Sequence, residues 1–151
     1  MPTPDWLPES ANPLTPYLTV ADANAALAFY ERAFGFSRTA ETMTDDKGNI
    51  VHAGMQYHGR SIAMMAPEGA WGMQDRTPKH MGVSLPLNFY VYTPDVDKVA
   101  RDAAALGATI ERPPEDQFWG DRTTMIIDPD GYRWMFATKV GEFDPSKMPR
   151  A

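Results

Sequence analysis

The sequence contains no cysteine, and this absence removes several kinds of chemistry. Disulfides, thiolate nucleophiles and Cys-ligated zinc are excluded, because each needs a thiol side chain. No apolar run reaches the ~18 residues that a membrane-spanning helix needs, so we expect no membrane partner. The opening stretch MPTPDWLPES lacks the basic and apolar parts of a signal peptide, and we therefore expect a cytoplasmic protein.

Basic residues are also few. The chain has 14 Lys and Arg against 20 Asp and Glu, which gives a formal net charge of -6. A nucleic-acid-binding surface needs an excess of cations to neutralise phosphates, so we expect no nucleic-acid partner. Apolar residues make up 43% of the 151 residues, an ordinary share for a globular protein with a core.

Two stretches of the chain follow the same plan about 72 residues apart. The first contains TPYLTVADANAALAFYERAFGF and the second contains LNFYVYTPDVDKVARDAAALGA. Asp22 corresponds to Asp95 at an offset of 73, and Gly35 corresponds to Gly107 at an offset of 72. Such self-similarity indicates a duplicated module.

Each copy of the repeat predicts the element order βαβββ. An alternating strand leads into a helix that begins after an aspartate and ends at a glycine. Turn sequences at 45–49, 57–60 and 128–131 separate the later strands. PPEDQFWGDR at 113–122 is predicted to be a loop, and residues 67–86 a long connecting loop. We therefore predict the α+β class, with two curved mixed sheets paired around a groove.

The boundaries follow from the same pattern. Proline-rich residues 1–14 predict an extended arm that is suited to reach a partner subunit, and residues 140–151 predict a tail. A single domain is predicted over 15–139, with module one at 15–66 and module two at 87–139. Because sheet edges and a half-open groove are usually covered, we expect a homodimer.

Three segments resemble the vicinal oxygen chelate superfamily, in its glyoxalase/bleomycin-resistance/dioxygenase branch. They are VADANAALAFYERAFGF, YTPDVDKVARDAAALGA and DPDGYRWMFAT, and the FWGDR run is also similar to proteins of this branch. The resemblance covers roughly residues 14–139 and implies two βαβββ modules around a groove. Metal-dependent members hold one divalent ion there, with His, Gln or Glu from the first and fourth strands of each module.

Carried over one position at a time, the family's metal-ligand positions fall on Thr15, Ala63, Asn88 and Met135. Thr, Ala and Met are poor ligands for Ni²⁺, Zn²⁺, Fe²⁺ or Mn²⁺, and a neutral Asn is weak alone. We also expect Met65, two residues after Ala63, on the groove face. The resemblance therefore implies a member without a metal or another cofactor.

Aromatic and weakly polar side chains on the expected groove face suit a planar small molecule, the partner that we predict. His52 is the best candidate for a catalytic base, but a histidine satisfied by Gln56 or by a backbone group is the more common arrangement. Arg122 is a candidate for a ligand carboxylate, and an internal salt bridge to Asp116 or Asp121 is the slightly favoured alternative. The candidate ligand-binding residues are Tyr17, His52, Gln56, Asn88, Tyr90, Tyr92, Trp119, Arg122 and Met135.

These observations favour a binding module that holds a small aromatic or heterocyclic compound without transforming it, as drug-sequestering members of the family do. The alternative from another class is a metal-dependent lyase, isomerase or dioxygenase with non-standard ligands, for example His52 with Gln56 and water. A third interpretation is a non-catalytic subunit with a vestigial groove. Metal analysis of protein purified without a chelator separates the first two.

Overall fold

The computed structural model describes residues 2–9 and 11–150 of the chain. It divides into two compact units, Met1–Met81 and Gly82–Ala151. Each unit is built on one mixed sheet, so the predicted α+β class is confirmed. The second unit has the predicted order βαβββ, whereas the first has two short strands in place of one after its helix. No helix in the described parts of the chain is long and apolar enough to cross a membrane.

The first unit has a sheet with the strand order β1-β5-β4-β2, and β3 also pairs with β4. Its strands are β1 (Tyr17–Val20), β2 (Ser37–Arg38), β3 (Met43–Thr44), β4 (Ile50–Tyr57) and β5 (Arg60–Pro67). Helix α1 spans Ala23–Phe29 and continues as a π-helical turn over Tyr30–Phe34, and shorter helices are a 3₁₀ turn at Ala70–Gly72 and α2 at Pro78–Met81. Strands β1 and β5 run parallel, whereas the other pairs are antiparallel.

Helix α1 begins and ends at the predicted residues. The Asp22 carboxylate accepts a hydrogen bond from Ala25 N at 2.7 Å, which satisfies an amide that the first turn leaves unpaired. Ala26 and Tyr30, four residues apart, are buried on the side of the helical segment that faces the core. The helical segment ends at Gly35, whose φ of 73° lies in the left-handed region that glycine adopts without strain.

The second unit has a four-stranded sheet with the order β6-β9-β8-β7. Its elements are β6 (Phe89–Tyr92), α3 (Val96–Ala105), β7 (Thr109–Asp116), β8 (Asp121–Ile127), β9 (Arg133–Lys139) and a 3₁₀ turn at Pro145–Lys147. Asp95 caps α3 by accepting a hydrogen bond from Lys98 N at 3.0 Å. Trp134 is 1% exposed in the core, and its indole donates to Asp128 Oδ2 at 2.9 Å.

The loop predicted over residues 113–122 is wrong, because β7 continues to Asp116 and β8 begins at Asp121. Two consecutive prolines favoured a loop. They fit in β7 because it is the edge strand of its sheet and because its pairing with β8 is interrupted by a register shift between Arg112 and Glu115. The remaining turn is closed by a 2.7 Å hydrogen bond from Gln117 N to Asp121 O.

The arm and the tail both fold onto their own units. In the arm, Leu7 N donates to Pro4 O at 3.0 Å, so this segment is turned and not fully extended. Asn12 Nδ2 donates to Ser61 O at 2.6 Å and fixes the end of the arm to β5. In the tail, Asp144 N donates to the carbonyl of the β7–β8 turn residue Phe118 at 2.8 Å.

The turns of the two β-hairpins that close the repeats differ in length by three residues. Tyr57 pairs with Arg60 across a two-residue turn in the first unit, whereas Ile127 pairs with Arg133 across five residues in the second. Tyr17 pairs with Met64, five residues after Gly59, whereas Tyr90 pairs with Met135, four residues after the repeat counterpart Gly131. Positions counted onward from these two glycines are therefore out of register by one. A slip of one residue moves every side chain to the other face of a strand.

This difference corrects the predicted metal position Ala63. Tyr17 is paired with Met64, and its counterpart Tyr90 is paired with Met135, so Met64 and not Ala63 corresponds to Met135. Ala63 and Met65 are both 0% exposed and face the core, so the expectation that they lie on the groove face of the sheet is wrong.

Candidate functional site

Four side chains of the second unit form a hydrogen-bonded group that we call the Asp121 cluster: Tyr90, Tyr92, Trp119 and Asp121. Both phenols donate to Asp121 Oδ2, from Tyr90 at 2.6 Å and from Tyr92 at 2.9 Å. Trp119 Nε1 donates to the Tyr90 hydroxyl at 3.0 Å. The carboxylate is 5% exposed, but the three aromatic side chains are 42%, 60% and 38% exposed in chain order. The cluster therefore presents ring surfaces to solvent while its polar atoms bind one another.

Strand geometry brings these residues together. Tyr90 and Tyr92 are two apart on β6 and so share one face, with ring centroids 5.6 Å apart in an edge-to-face arrangement. Trp119 and Asp121 flank Gly120, which has a φ of 99°. A Cβ at Gly120 would lie 2.6 Å from Gly141 O, so only glycine lets the tail pass this close to the turn.

The electrostatics of the cluster keep both phenols protonated. Burial and the hydrogen bond to Asp121 raise the pKa of Tyr90 to about 12, although the Trp119 indole opposes this shift. The pKa of Tyr92 is also raised, mainly by its hydrogen bond to Asp121. At physiological pH these side chains act as donors and stacking surfaces and not as bases.

Arg122, a predicted site residue, lies on the other face of β8. It donates from Nε and Nη2 to Asp97 at 2.9 and 3.1 Å, and from Nη1 to Asp116 at 3.0 Å. Because Asp97 belongs to α3, the guanidinium lies on the face that the helix covers. The sequence analysis missed Asp121, which alternation along β8 would have placed with Thr123 on the face opposite to Arg122.

The first unit contains a related arrangement around Tyr17, the counterpart of Tyr90. The Tyr17 hydroxyl lies 2.6 Å from Nδ1 of His52, which is 9% exposed. Burial raises the pKa of Tyr17, and a hydrogen bond with the Trp71 side chain opposes this shift. Trp71 itself has a backbone φ of 57°, which residues other than glycine rarely adopt, and it is 62% exposed.

Gln56 contributes to a different feature of the first unit, a cavity of about 530 Å³ between the sheet and the N-terminal arm. We call it the arm cavity. Gln56 and His52 are four residues apart on β4, so their backbones are ~13 Å apart along the strand. The structure therefore does not bring this pair together as the non-standard metal ligands that the alternative interpretation requires.

The remaining candidates occupy the family's metal positions. Met135 is paired with Tyr90 and lies beside the Asp121 cluster, and Asn88 is exposed just before β6. In the first unit the corresponding side chains are Thr15 and Met64. None of these four offers an imidazole or carboxylate, so the donors do not fit the divalent ion of metal-dependent relatives. Within residues 2–9 and 11–150, no group of three or more His, Cys, Asp or Glu could hold a metal ion.

Comparisons with known proteins agree with this geometry. The family model described as Glyoxalase/Bleomycin resistance protein/Dioxygenase superfamily matches residues 11–136. An uncharacterised protein of Mycobacterium bovis is 31% identical over 140 residues, which cover 91% of this chain and 90% of that protein. An uncharacterised protein of Mycobacterium tuberculosis is also 31% identical, over 91% of this chain and 81% of its own length.

Solved structures with low sequence identity share the fold. The crystal structure of TioX from Micromonospora sp. ML1 has a TM-score of 0.63 at 24% identity and covers 84% of this chain and 98% of TioX. A glyoxalase/bleomycin resistance protein/dioxygenase family enzyme from Burkholderia phytofirmans has a TM-score of 0.63 at 17% identity, over 87% of this chain and 98% of that one. With the family match over most of its length, this chain belongs to the glyoxalase/bleomycin resistance protein/dioxygenase superfamily.

Proposed function

We propose that this protein binds a small planar aromatic or heterocyclic compound without a metal and without transforming it, as a sequestration or resistance protein does. The observation that carries this proposal is the Asp121 cluster, in which Tyr90, Tyr92 and Trp119 are tied directly or in series to one buried carboxylate. Rings that are already fixed lose little conformational freedom when a ligand stacks on them. More of the stacking energy is therefore retained as affinity.

The size of the expected affinity follows from the number of rings. A favourable aromatic pair contributes about 0.5–1.5 kcal/mol beyond the burial of apolar area. Two such pairs, together with apolar burial against Met135, support a roughly micromolar dissociation constant. Methionine is flexible and polarizable, so its side chain can adapt to ligands of different outline.

The absence of a metal is a separate part of the proposal, and it rests on the donor set. Thr15 and Met64 in the first unit, and Asn88 and Met135 in the second, are weak ligands for divalent transition metals. Protein purified without a chelator is expected to contain no stoichiometric Zn, Ni, Fe or Mn when it is analysed by inductively coupled plasma mass spectrometry. A stoichiometric ion that survives gel filtration would contradict this part and favour the metal-dependent alternative.

Ligand binding is tested by a thermal-shift screen of planar metabolites and antibiotics, followed by tryptophan fluorescence. A compound stacked on the cluster should quench Trp119, and Trp119→Ala should remove most of the quenching. Trp134 is buried and should be insensitive, and Trp6→Ala, on the exposed arm, serves as the matched control. The proposal fails if no planar compound binds, or if Trp119→Ala and Tyr90→Ala both leave the affinity unchanged.

We also propose that the protein acts as a homodimer in the cytoplasm. Two-fold dimers are the most common closed assembly, and the arm carries apolar side chains that a partner would cover. Of these, Leu14 is 84% exposed and Trp6 is 73% exposed. Light scattering at micromolar concentration is expected to give twice the chain mass. A monomeric mass contradicts the proposed dimer.

A further inference from the structure

The arm cavity belongs to the first unit alone and is not used by the Asp121 cluster. Its volume of about 530 Å³ lies within the ~300–1,000 Å³ that small-molecule pockets occupy. The sheet supplies one wall through Thr15, Gly54 and Met64. The arm supplies the opposite wall, where Leu7 and Asn12 line the cavity.

The arm is held in place as a wall of the cavity. The 2.6 Å hydrogen bond from Asn12 Nδ2 to Ser61 O joins the arm to β5 directly at the cavity. Proline fixes its own φ, and Pro8 and Pro13 both line the cavity, so this stretch has few alternative conformations to lose. The arm therefore closes the cavity at little entropic cost.

Among the described residues that line the cavity, Glu41 alone carries a charge. Glu41 N donates to Thr39 Oγ1 at 3.2 Å, and Thr39 N donates to Gly54 O of β4 at 2.9 Å, which holds this segment against the sheet. A Cβ built on Gly54 would lie 3.3 Å from Glu41 Oε2, so the carboxylate lies close above the sheet wall. Within residues 2–9 and 11–150, no Lys, Arg or His forms an ion pair with Glu41.

We propose that the arm cavity binds a small organic cation, such as an amidinium or a protonated amine, with Glu41 as its counter-ion. Hydrogen bonds to a charged group are about twice as strong as neutral ones, so a cationic head group gains most next to this carboxylate. Gln56 and Thr15 offer additional oxygen acceptors, and Leu7 and Met64 offer apolar surface for the body of the molecule. This site stands on the first unit and does not depend on the proposed function of the Asp121 cluster.

Three planar compounds of similar shape test whether the arm cavity prefers a cation: benzamidine is cationic, benzamide neutral and benzoate anionic. By titration calorimetry with the full chain, benzamidine is expected to bind about tenfold more tightly than benzamide, and benzoate most weakly. Glu41→Gln should abolish the preference for the cation. Asp46→Asn, which neutralises an exposed carboxylate in the β3–β4 turn, should leave it intact. Equal affinities in the wild type, an unchanged preference in Glu41→Gln, or no binding at millimolar concentration would overturn the proposal.

A second comparison tests the arm and separates this site from the Asp121 cluster. Asn12→Ala should weaken benzamidine binding several-fold and accelerate proteolysis of the arm, whereas bound benzamidine should slow that proteolysis in the wild type. Leu14→Ala is the matched control, because Leu14 is exposed and does not line the cavity. Trp119→Ala should leave the preference for benzamidine over benzamide unchanged, because a ring that stacks on the Asp121 cluster gains nothing from Glu41. Loss of this preference in Trp119→Ala, or full benzamidine affinity in Asn12→Ala, contradicts a site closed by the arm.

Discussion

The hydroxyl of Tyr17 lies 2.6 Å from Nδ1 of His52, and the counterpart of this tyrosine in the second unit donates to a carboxylate instead. Both phenols lie at the same position of the first strand of a repeat, opposite a methionine. Each phenol also has a tryptophan indole as a partner, Trp71 in the first unit and Trp119 in the second. Each unit therefore has a fixed aromatic side chain at this position, while its hydrogen-bonding partner differs between the two units.

The first prediction concerns the ionisation of Tyr90, whose pKa of about 12 lies well above the ordinary 10.0. Burial and then the hydrogen bond to Asp121 raise it, so Asp121→Asn should lower this pKa but not return it fully to 10.0. Because the folded-state value is the higher one, the stability that it contributes is complete below pH 10 and is lost as the pH rises towards 12. Phenolate absorbance measured against pH reports the titration of all tyrosines. Tyr90→Phe identifies the part of the absorbance change that comes from Tyr90. If Asp121→Asn does not lower the pKa of Tyr90, the carboxylate does not have this role.

The second prediction concerns Gly54, where a Cβ would lie 2.5 Å from Thr39 Oγ1. Gly54→Ala should lower the free energy of unfolding by about 1–3 kcal/mol, since the added methyl clashes with the Thr39 side chain. In the double variant with Thr39→Ala the oxygen is removed, and most of this loss should be recovered. Urea denaturation of the two single variants and the double variant gives the coupling energy. Losses that simply add would show that Thr39 is not the cause.

Local signals in the sequence were sufficient for the two capped helices and for the order of the elements in the second unit, but not for the short helices at Ala70–Gly72 and Pro78–Met81 in the predicted loop 67–86. Asp22 and Asp95 cap their helices as predicted, because capping depends only on residues within one turn. The edge position of β7 could not be read in this way, since tolerance of two prolines depends on which strands are neighbours. The sequence analysis therefore predicted a loop where the chain is a strand.

The candidate site was also predicted only in part, because the prediction relied on local patterns along each strand. Tyr90, Tyr92 and Trp119 were named and do lie together, because alternation along β6 is a local property. Asp121 was missed and Arg122 was named in its place, since the first residue of β8 was assigned to a loop, where faces are undefined. A single misplaced strand boundary was enough to exchange an acceptor at the cluster for a cation on the opposite face.

The third prediction concerns Arg122, which joins α3 to β7 and β8 through two carboxylates. Arg122→Gln should lower folding stability slightly and leave the affinity for planar compounds unchanged. The Arg122 guanidinium holds the pKa of Asp97 below its ordinary 3.8. The stability from this pair is therefore present above pH 3.8 and is lost as the pH falls through the lowered pKa.

Urea denaturation at several pH values measures this difference. Lys98→Gln is the matched control, because its exposed pair with Asp102 also lies on α3 and such pairs contribute little. A stability difference between Arg122→Gln and the wild type that persists in acid would show that the ion pair with Asp97 is not its source. A loss of affinity for planar compounds in Arg122→Gln would show that Arg122 is a ligand-binding residue.

The last prediction tests the register of β5 by placing one carboxylate at two neighbouring positions. Ala63 is fully buried in the core, so Ala63→Glu should cost more than ~3 kcal/mol or prevent folding, because a buried unpaired charge is strongly unfavourable. Met64→Glu should be tolerated, since Met64 is only half-buried and lies beside the half-exposed Tyr17. Thermal unfolding of both variants gives the comparison, with Ala63→Ser and Met64→Gln as uncharged controls. If Met64→Glu is the more damaging change, the one-residue difference in register between β5 and β9 is wrong, and Ala63 is the counterpart of Met135 after all.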